Sequence, residues 1–430
     1  MKNDLSLHIP ANARWHDILS TESKSSSISF KNNRLHGINE KENSGMGIRL
    51  NIDGKTGFSY TNDPDRMAEV TGRAAELAAF GDPEGYDLPK KAEVTFEPYD
   101  EAINSYSTAA EIEKGHEMIA LLKDRYPDIH ADLSISVSSG KTRLENSHGL
   151  AEEYRNSYYG FSISATYIPR EGSKIDVWDS LSAPSSQSFS HLASVLIEKI
   201  EKAEVAVPSE SGRLPVIVTP RAFGRLLGIV ASGLDARAVF KGISPFKDKM
   251  GEKLFHDSFT ISDNPLLKNS PFSFPFDDEG VMARNKDLIS GGILQNFVTD
   301  LKHAERLGIE ALGNASRGYA SLPAPSFSNI MVPGGTIPYK KLLKEAPRAV
   351  LIESFIGLGQ SNTLTGEFSA NLDLAYLVEN GEISGRVKDC MVKGNLFELL
   401  KDDIAFSQER EQVGSSLLPA LYFPAIDYTA

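Results

Sequence analysis

Glycine turns that separate extended runs constrain this fold more than any other feature of the sequence. Asp53-Gly54, Ser290-Gly291-Gly292 and Asn380-Gly381 each lie between two runs rich in apolar and β-branched residues. Such pairs favour two-residue hairpins, because the turn positions need a positive φ that Asn, Asp and Gly tolerate. The sequence therefore predicts antiparallel strand pairs in both halves of the chain.

Helical patterns interrupt these strands. Apolar residues recur with the helical period in residues 65–80 and 191–202. Thr108-Ala-Ala-Glu111 matches a capping box, in which each of the two polar side chains would satisfy a free backbone N–H. Thr219-Pro220 matches an N-cap followed by proline at the first helical position. Strands mixed with a smaller number of helices predict an α+β fold.

A polar stretch at residues 208–213, Pro-Ser-Glu-Ser-Gly-Arg, has the composition of a linker. At roughly 150 residues per domain, the 430 residues are expected to form two or three domains. We therefore predict an N-terminal domain over residues 1–207, with a mixed sheet and helices. Residues 208–430 are predicted to form a strand-rich C-terminal domain.

Charge and cysteine content narrow the function classes. The net charge of −13 is repelled by phosphate backbones and does not favour nucleic-acid binding. The single cysteine, Cys390, excludes an internal disulfide. Residues 1–6 lack the apolar stretch of a signal peptide, and no segment approaches the roughly 18 apolar residues that span a bilayer. The sequence predicts a cytoplasmic protein without a membrane partner.

The histidines are not spaced as metal ligands usually are. A zinc site needs several ligands at rigid spacing, and no two of the nine histidines lie three to five residues apart on a predicted helix. We therefore predict that this chain holds no metal and no other cofactor.

One acidic cluster is unusual. Asp277, Asp278 and Glu279 stand together beside apolar residues and a turn. Adjacent like charges cost free energy unless cations or hydrogen bonds offset them. Two interpretations stay open: a capped turn with ion pairs, or a polar site for a substrate or partner backbone. Candidate partners of the acidic cluster are Arg284, Lys302, Arg306 and Arg317.

A second motif, Thr365-Gly-Glu-Phe-Ser369, also allows two interpretations: a bulge or turn, or a close approach to another backbone.

Taken in order, a series of short motifs resembles the TldD/PmbA (TldE) family, once called modulators of DNA gyrase. The similarity covers nearly the whole chain. In the first half it rests on Gly45-Met-Gly-Ile-Arg49 with Asp53-Gly54. In the second half it rests on Phe276-Asp-Asp-Glu-Gly280, Gly291-Gly-Ile-Leu294, Asp300-Leu-Lys-His-Ala-Glu-Arg-Leu-Gly308, Gly313-Asn314 with Arg317, Pro325-Ser-Phe-Ser-Asn329, Val332-Pro-Gly334, Gly357-Leu-Gly359, Thr365-Gly-Glu-Phe-Ser369, Val378-Glu-Asn-Gly-Glu382 and Lys393-Gly-Asn395.

The resemblance implies a two-domain α+β subunit that dimerises around an internal chamber. In the TldD branch a helix carries His-Glu-x-x-x-His, and a cysteine near the C-terminus completes a metal site. Here Leu227, Gly228 and Ser232 stand at the motif positions, and residues 417–430 contain no cysteine. Leucine, glycine and serine cannot replace two imidazoles and a carboxylate. The chain therefore resembles the PmbA/TldE branch, which lacks the metal motif.

That resemblance implies a metal-free subunit of a peptidase complex that processes unfolded peptides, without catalysis on its own. Zinc is expected only in a TldD-like partner subunit, and a homodimer is also expected to be feasible. We predict that the chain shapes a peptide chamber. The candidate chamber or interface residues are Asp277, Asp278, Glu279, Arg284, Asn314, Arg317, Asn329, Thr365 and Ser369.

Two other functions stay open. One is a stand-alone hydrolase that uses Asp277, Asp278 and Glu279, with His303 as the base. The other is a peptide-binding or DNA-gyrase-linked adaptor that is not catalytic in any complex. The fold alone does not decide between them.

Overall fold

The computed structural model describes residues 9–170, 172–360, 362 and 364–430. Residues 1–6, on which the signal-peptide argument rests, lie outside the described residues. The chain is an α+β protein built on two large sheets. This confirms the predicted fold class.

The first sheet is antiparallel throughout and lies in the first half of the chain. Its spatial order is β3-β2-β1-β4-β5-β6. Its strands are β1 (Ala13–Lys31), β2 (Arg34–Ile52), β3 (Lys55–Thr61), β4 (His130–Asn146), β5 (Ala151–Tyr167) and β6 (Ile175–Ala183).

Two tight turns connect the first three strands. Asp53 and Gly54 have φ values of 50° and 78° and join β2 to β3, as predicted. Asn32 and Asn33, with φ values of 49° and 65°, join β1 to β2. Asn and Asp tolerate this left-handed region better than other side chains do. The turns therefore fold β1 to β3 into a meander.

Three helices pack on this sheet: α1 (Met67–Ala78), α2 (Thr108–Arg125) and α3 (His191–Glu204). The predicted capping box at Thr108 is wrong, because Ser107 is the N-cap of α2 and accepts the Ala110 N–H. Glu111 is buried instead, where it accepts a hydrogen bond from the Tyr159 hydroxyl at 2.7 Å and pairs with Lys114 at 2.8 Å. The Glu111 side chain therefore forms these contacts and does not cap the start of its own helix.

Helix α1 lies directly on Gly57 of β3, and a Cβ built at Gly57 would lie 1.9 Å from the Ala74 carbonyl oxygen. We expect Gly57→Ala to lower the free energy of unfolding by about 1–3 kcal/mol, because α1 must move away. Gly72→Ala is the matched control: it lies on the exposed face of α1, its Cβ would meet open space, and it should raise stability by about 0.5–1 kcal/mol. Urea unfolding of both variants measures the difference, and equal effects would contradict this packing.

The second sheet lies in the second half of the chain and mixes parallel with antiparallel pairs. Its strands are β7 (Gly212–Val218), β8 (Ile261–Asp263), β9 (Lys286–Ser290), β10 (Ile293–Leu294), β13 (Ile330–Met331), β14 (Arg348–Ile356), β15 (Glu367–Glu379), β16 (Glu382–Arg386), β17 (Met391–Asn395), β18 (Ala405–Val413) and β19 (Ser416–Thr429). A separate two-stranded sheet joins β11 (Ala315–Ser316) to β12 (Ala324–Pro325). The predicted hairpins at Gly291-Gly292 and Asn380-Gly381 are confirmed.

Part of the second sheet closes on itself. The strands follow one another in the order β19-β17-β15-β14-β7, and β7 pairs again with β19 to complete a barrel. Helix α4 (Pro220–Leu234) packs against it with a wide apolar surface that includes Phe223, Leu226 and Val230. The remaining helices are α5 (Ala236–Phe240), α6 (Leu301–Leu307), α7 (Tyr339–Leu342) and α8 (Leu396–Leu399).

One hydrophobic cluster is shared by the two halves. Leu133 and Phe161 of the first sheet lie in the same buried cluster as Ile217, Leu351 and Tyr376 of the barrel. The first sheet thus packs against the barrel. A boundary between residues 207 and 208 stays a prediction.

Candidate functional site

The acidic turn at residues 276–280 is held together by Asp277. One of its carboxylate oxygens, Oδ1, accepts the backbone N–H groups of Glu279 and Val281 at 3.0 and 2.9 Å. The other, Oδ2, accepts the Ala315 N–H at 2.9 Å. Three backbone donors thus converge on one buried carboxylate. Asp277 shapes this turn and ties it to β11.

Asp278 binds Arg317, which follows β11 directly. Its Oδ2 accepts the Arg317 N–H at 2.8 Å, and the Arg317 guanidinium donates back to the Asp278 carbonyl at 3.0 Å. Arg317 also pairs with Asp17 of β1 at 3.0 Å. The turn is therefore linked to the first sheet through Arg317.

Glu279 makes the second link to the first sheet. Its Oε1 lies 2.7 Å from a guanidinium nitrogen of Arg49, and its Oε2 accepts the Leu301 N–H at the start of α6 at 2.7 Å. Arg49 pairs in turn with Asp17, its neighbour across β1 and β2. Asp17, Arg49 and Glu279 are each about 1 % exposed. We call this set, together with Arg317, the buried charge cluster.

Burial and pairing set the pKa values of carboxyl groups in the buried charge cluster and in the acidic turn. Burial raises the pKa of Asp17, but the Arg317 and Arg49 guanidiniums outweigh it and hold that pKa below its ordinary value. Burial raises the pKa of Asp277 to about 7, helped by the nearby Glu279 charge. Burial also raises the pKa of Asp278, to about 6. Two carboxyl groups of the turn therefore titrate near neutral pH.

The raised pKa of Asp278 predicts that the free energy of unfolding depends on pH. An unfolded aspartate titrates near about 4, so between about pH 4 and 6 the folded chain binds more protons and loses stability as the pH rises. We expect Asp278→Asn to remove about 1 kcal/mol of the change in unfolding free energy between about pH 5 and pH 8. Urea titrations at both pH values measure it, with the exposed Asp287→Asn as control. Identical pH profiles of Asp278→Asn and the unaltered chain would contradict the prediction.

A cavity of about 280 Å³ opens beside the acidic turn. Asp277, Asp278 and Asn314 line it together with Tyr154 of β5 and Phe272. Its walls therefore combine hydrogen-bond acceptors with aromatic rings, and they come from both halves of the chain.

Asn314, which lines this cavity, and Asn329 belong to a buried polar network. Asn314 donates to Asp263 at 2.7 Å, and Asp263 also pairs with Lys286 at 3.3 Å. Asn329 donates to the Asn264 carbonyl at 2.9 Å. Both amides are nearly inaccessible to solvent. They fix the loops around the cavity.

The predicted site residues do not all lie together in the structure. Arg284 is exposed and pairs with Glu310 at 2.6 Å. Ser369 lines a second cavity of about 730 Å³, together with Lys393 of β17. Thr365 lies just before β15, where its hydroxyl donates to the Asn362 carbonyl at 3.2 Å. The structure brings together only the residues near the acidic turn.

Helix α4 carries Leu227, Gly228 and Ser232, the positions that the resemblance described above matches to the metal motif of the TldD branch. Leu227 is buried in the main core, and the Ser232 hydroxyl donates to the Ile229 carbonyl of its own helix at 2.7 Å. A Cβ built at Gly228 would meet open space. Within the described residues, no group of three or more His, Cys, Asp and Glu side chains is arranged to hold a metal ion. The residues at these positions therefore do not fit zinc.

Asp17 and Arg49 are the main residues that sequence reasoning missed. Each lies in a mostly apolar stretch of strand, Trp15-His-Asp17-Ile-Leu19 and Ile48-Arg49-Leu50. That position is one signal, and Arg49 also ends the Gly45-Met-Gly-Ile-Arg49 motif on which the family resemblance rests. A third cavity, of about 880 Å³, was also missed. It lies between α3, the start of α4 and β18, beside a buried Asp179–Arg221 ion pair.

No helix within the described ranges is both long and apolar enough to cross a membrane.

Comparison with known proteins identifies the family. Residues 211–430 match the PmbA/TldA metallopeptidase C-terminal domain, and residues 17–78 match domain 1 of the same metallopeptidases. An uncharacterized protein of Methanocaldococcus jannaschii is 29 % identical over 88 % of each chain. Metalloprotease PmbA of Escherichia coli O157:H7 is 26 % identical over 91 % of this chain and 83 % of its own. TldE of Thermococcus kodakarensis shares the fold, with a TM-score of 0.90, 21 % identity and coverage of 99 % and 98 %. The chain belongs to the PmbA/TldD metallopeptidase family.

Proposed function

We propose that this chain is the metal-free subunit of a two-subunit peptidase, in which a TldD-like partner supplies the zinc. In the complex it shapes the chamber that holds an unfolded peptide and supplies no group to bond cleavage. We also propose that this chain acts in the cytoplasm.

The surface of helix α4 carries this proposal. A His-Glu-x-x-x-His motif needs imidazole nitrogens and a carboxylate at the motif positions. Here the Leu227 side chain is buried in the core, and the Ser232 hydroxyl donates a hydrogen bond within its own helix. Gly228 offers no side chain at all. These contacts favour a packing role for α4 over a metal-binding one.

The cavities support the peptide-binding part of the proposal. The cavity beside Asp278 has acceptor and aromatic walls. The cavity beside Ser369 is lined by residues of β15 and β17, among them the exposed Glu367 and Lys393. Peptides often bind by adding an extended strand to such surfaces. We therefore propose that both cavities face the peptide chamber of the complex.

The geometry does not favour a stand-alone hydrolase built on the acidic turn. Asp277 accepts three backbone N–H groups, and Glu279 is bonded to Arg49 and to the Leu301 N–H. The Nδ1 of His303 lies 2.6 Å from Asp300, the N-cap of its own helix. Asp277, Glu279 and His303 are therefore each bound to other groups of the chain, which favours a structural role for them over a catalytic one.

Co-expression with a His-Glu-x-x-x-His relative from the same genome tests the proposal. We expect the purified pair to contain stoichiometric zinc by elemental analysis and to cleave an unfolded polypeptide. This chain alone should contain no stoichiometric zinc and cleave nothing. The matched control is the same pair with the motif glutamate of the partner changed to glutamine, which should assemble without cleavage.

Three results would contradict the proposal. Stoichiometric zinc in this chain alone would place the metal site here. Turnover by this chain alone, lost in Asp278→Asn, would favour the stand-alone hydrolase. A stable pair that binds zinc but cleaves no unfolded polypeptide would favour a non-catalytic adaptor.

A further inference from the structure

The third cavity, of about 880 Å³, is separate from the sites described above. It shares no lining residue with the cavities beside Asp278 and Ser369. Its volume is that of a site for a small organic molecule. Several of its lining residues are apolar, among them Leu192 and Val195 of α3, Pro220 of α4 and Pro338 before α7. The cavity therefore offers an apolar surface to whatever enters it.

Five charged side chains, each from a different element, also line this cavity. Arg221 of α4 pairs with Asp179 of β6, and one of its nitrogens lies 2.9 Å from a carboxylate oxygen of Glu411 in β18. The Nζ of Lys199 in α3 lies 3.6 Å from an oxygen of Asp179 and 3.3 Å from an oxygen of Glu353 in β14. In this group three carboxylates share two cations, which leaves one negative charge in excess.

That excess charge is largely removed from water. Asp179 and Arg221 are buried, and only Glu411 has as much as 44 % of its side chain exposed. Burial raises the pKa of Glu411 more than Arg221 lowers it, and the Asp179 charge adds to the rise. The other titratable residues that line the cavity are exposed and screened by water: His191, Lys340, Glu409 and Arg410. A buried charge without a counter-ion is costly, so the site favours a cation from outside.

Two hydroxyl groups at the cavity have no hydrogen-bond partner within the described part of the chain. Thr219, at the start of α4, is 6 % exposed and its Oγ1 is unbonded. The Tyr339 hydroxyl of α7 is also unbonded. Burial raises the pKa of Tyr339, and the nearby Glu353 and Glu411 charges raise it further. A buried polar atom without a partner is unusual in a folded chain and points to a ligand.

We propose that the third cavity binds a primary ammonium group attached to an apolar body. The ammonium group donates hydrogen bonds to Glu353, Glu411 and the Tyr339 hydroxyl, and the apolar body lies against α3 and Pro220. One such cation cancels the excess charge, and hydrogen bonds between charged groups are stronger than neutral ones. An anion would add to the excess. A free amine and the N-terminus of a peptide with an apolar first residue both offer this chemistry.

Calorimetric titration of the full-length chain alone tests the charge of the ligand, with hexylamine as the probe. We expect hexylamine to bind and hexanoate not to bind. Propylamine should bind more weakly than hexylamine by about fourfold for each methylene removed, because the chain of the amine is buried against apolar walls.

Three variants test the residues. Glu353→Gln should weaken hexylamine binding at least about tenfold, because a charge-assisted hydrogen bond is lost. Tyr339→Phe leaves every charge in place and should weaken it about threefold or more. Glu409→Gln is the matched control: it makes the same charge change at an exposed residue, keeps an acceptor for the Tyr339 N–H, and should stay within about twofold. Thermal unfolding checks that each variant is folded.

The peptide Leu-Gly-Gly and its N-acetylated form distinguish the two sources of the ammonium group. Tighter binding of hexylamine identifies a free amine, and tighter binding of Leu-Gly-Gly identifies a peptide N-terminus; acetylation should abolish peptide binding. The proposal is overturned if neither probe binds, if hexanoate or the acetylated peptide binds equally well, or if Glu353→Gln and Tyr339→Phe both leave binding unchanged. None of these measurements needs a partner subunit, so they are independent of the proposed peptidase complex.

Discussion

Replacing Arg49 by methionine should lower the free energy of unfolding by about 3–5 kcal/mol, the usual cost of breaking a buried ion pair from one side. The guanidinium lies between Asp17 and Glu279 with about 1 % of its surface exposed. Asp17 keeps Arg317 as a partner, so Glu279 is the carboxylate left without a cation. Urea unfolding near neutral pH measures the loss.

Two further variants identify the source of that loss. Adding Glu279→Gln to Arg49→Met should recover part of the stability, because the bare charge is removed while the Leu301 N–H keeps an acceptor. Arg66→Met removes an exposed pair with Glu69 and should cost less than about 1 kcal/mol. A similarly small loss for Arg49→Met would mean that the buried charge cluster does not hold the two halves together.

The buried charge cluster also shows where sequence reasoning ends. The Asn32-Asn33 turn starts β1 and β2 in register, with Lys31 opposite Arg34, and continuing that register would place Asp17 opposite Ile48. A bulge between Ser29 and Phe30 shifts the pairing by one residue and brings Asp17 opposite Arg49. No local signal in the sequence marks that bulge. The ion pair was therefore not predictable, although the strands were.

Features with a local cause were predictable. The turns at Asp53-Gly54 and Asn380-Gly381 follow from residues that accept a positive φ. Helix α4 begins at Pro220, as its Thr-Pro start indicates. The distance between Ser369 and the acidic turn depends on how the barrel closes, which is a long-range property. The grouping of the candidate site residues therefore had to come from the structure.

The largest local effect in the acidic turn is expected at Asp277. Asp277→Ala leaves three backbone N–H groups, those of Glu279, Val281 and Ala315, without their acceptor. A buried donor without a partner costs about 1–3 kcal/mol, so we expect a loss of about 3 kcal/mol or more in unfolding free energy. Urea unfolding at about pH 8 measures it, with the exposed Asp287→Ala as control.

Asp277→Asn separates the structural role of this carboxylate from a chemical one. Asparagine offers one acceptor oxygen where aspartate offers two, so it can serve either the Glu279 and Val281 N–H groups or the Ala315 N–H. We expect its stability to lie between those of the native chain and Asp277→Ala. An unchanged unfolding free energy in both variants would show that the turn does not depend on Asp277, and would return this carboxylate to the candidates for binding or catalysis. A graded loss means that the turn requires Asp277 as an acceptor of backbone hydrogen bonds, because the two variants differ mainly in how many of those bonds they can keep.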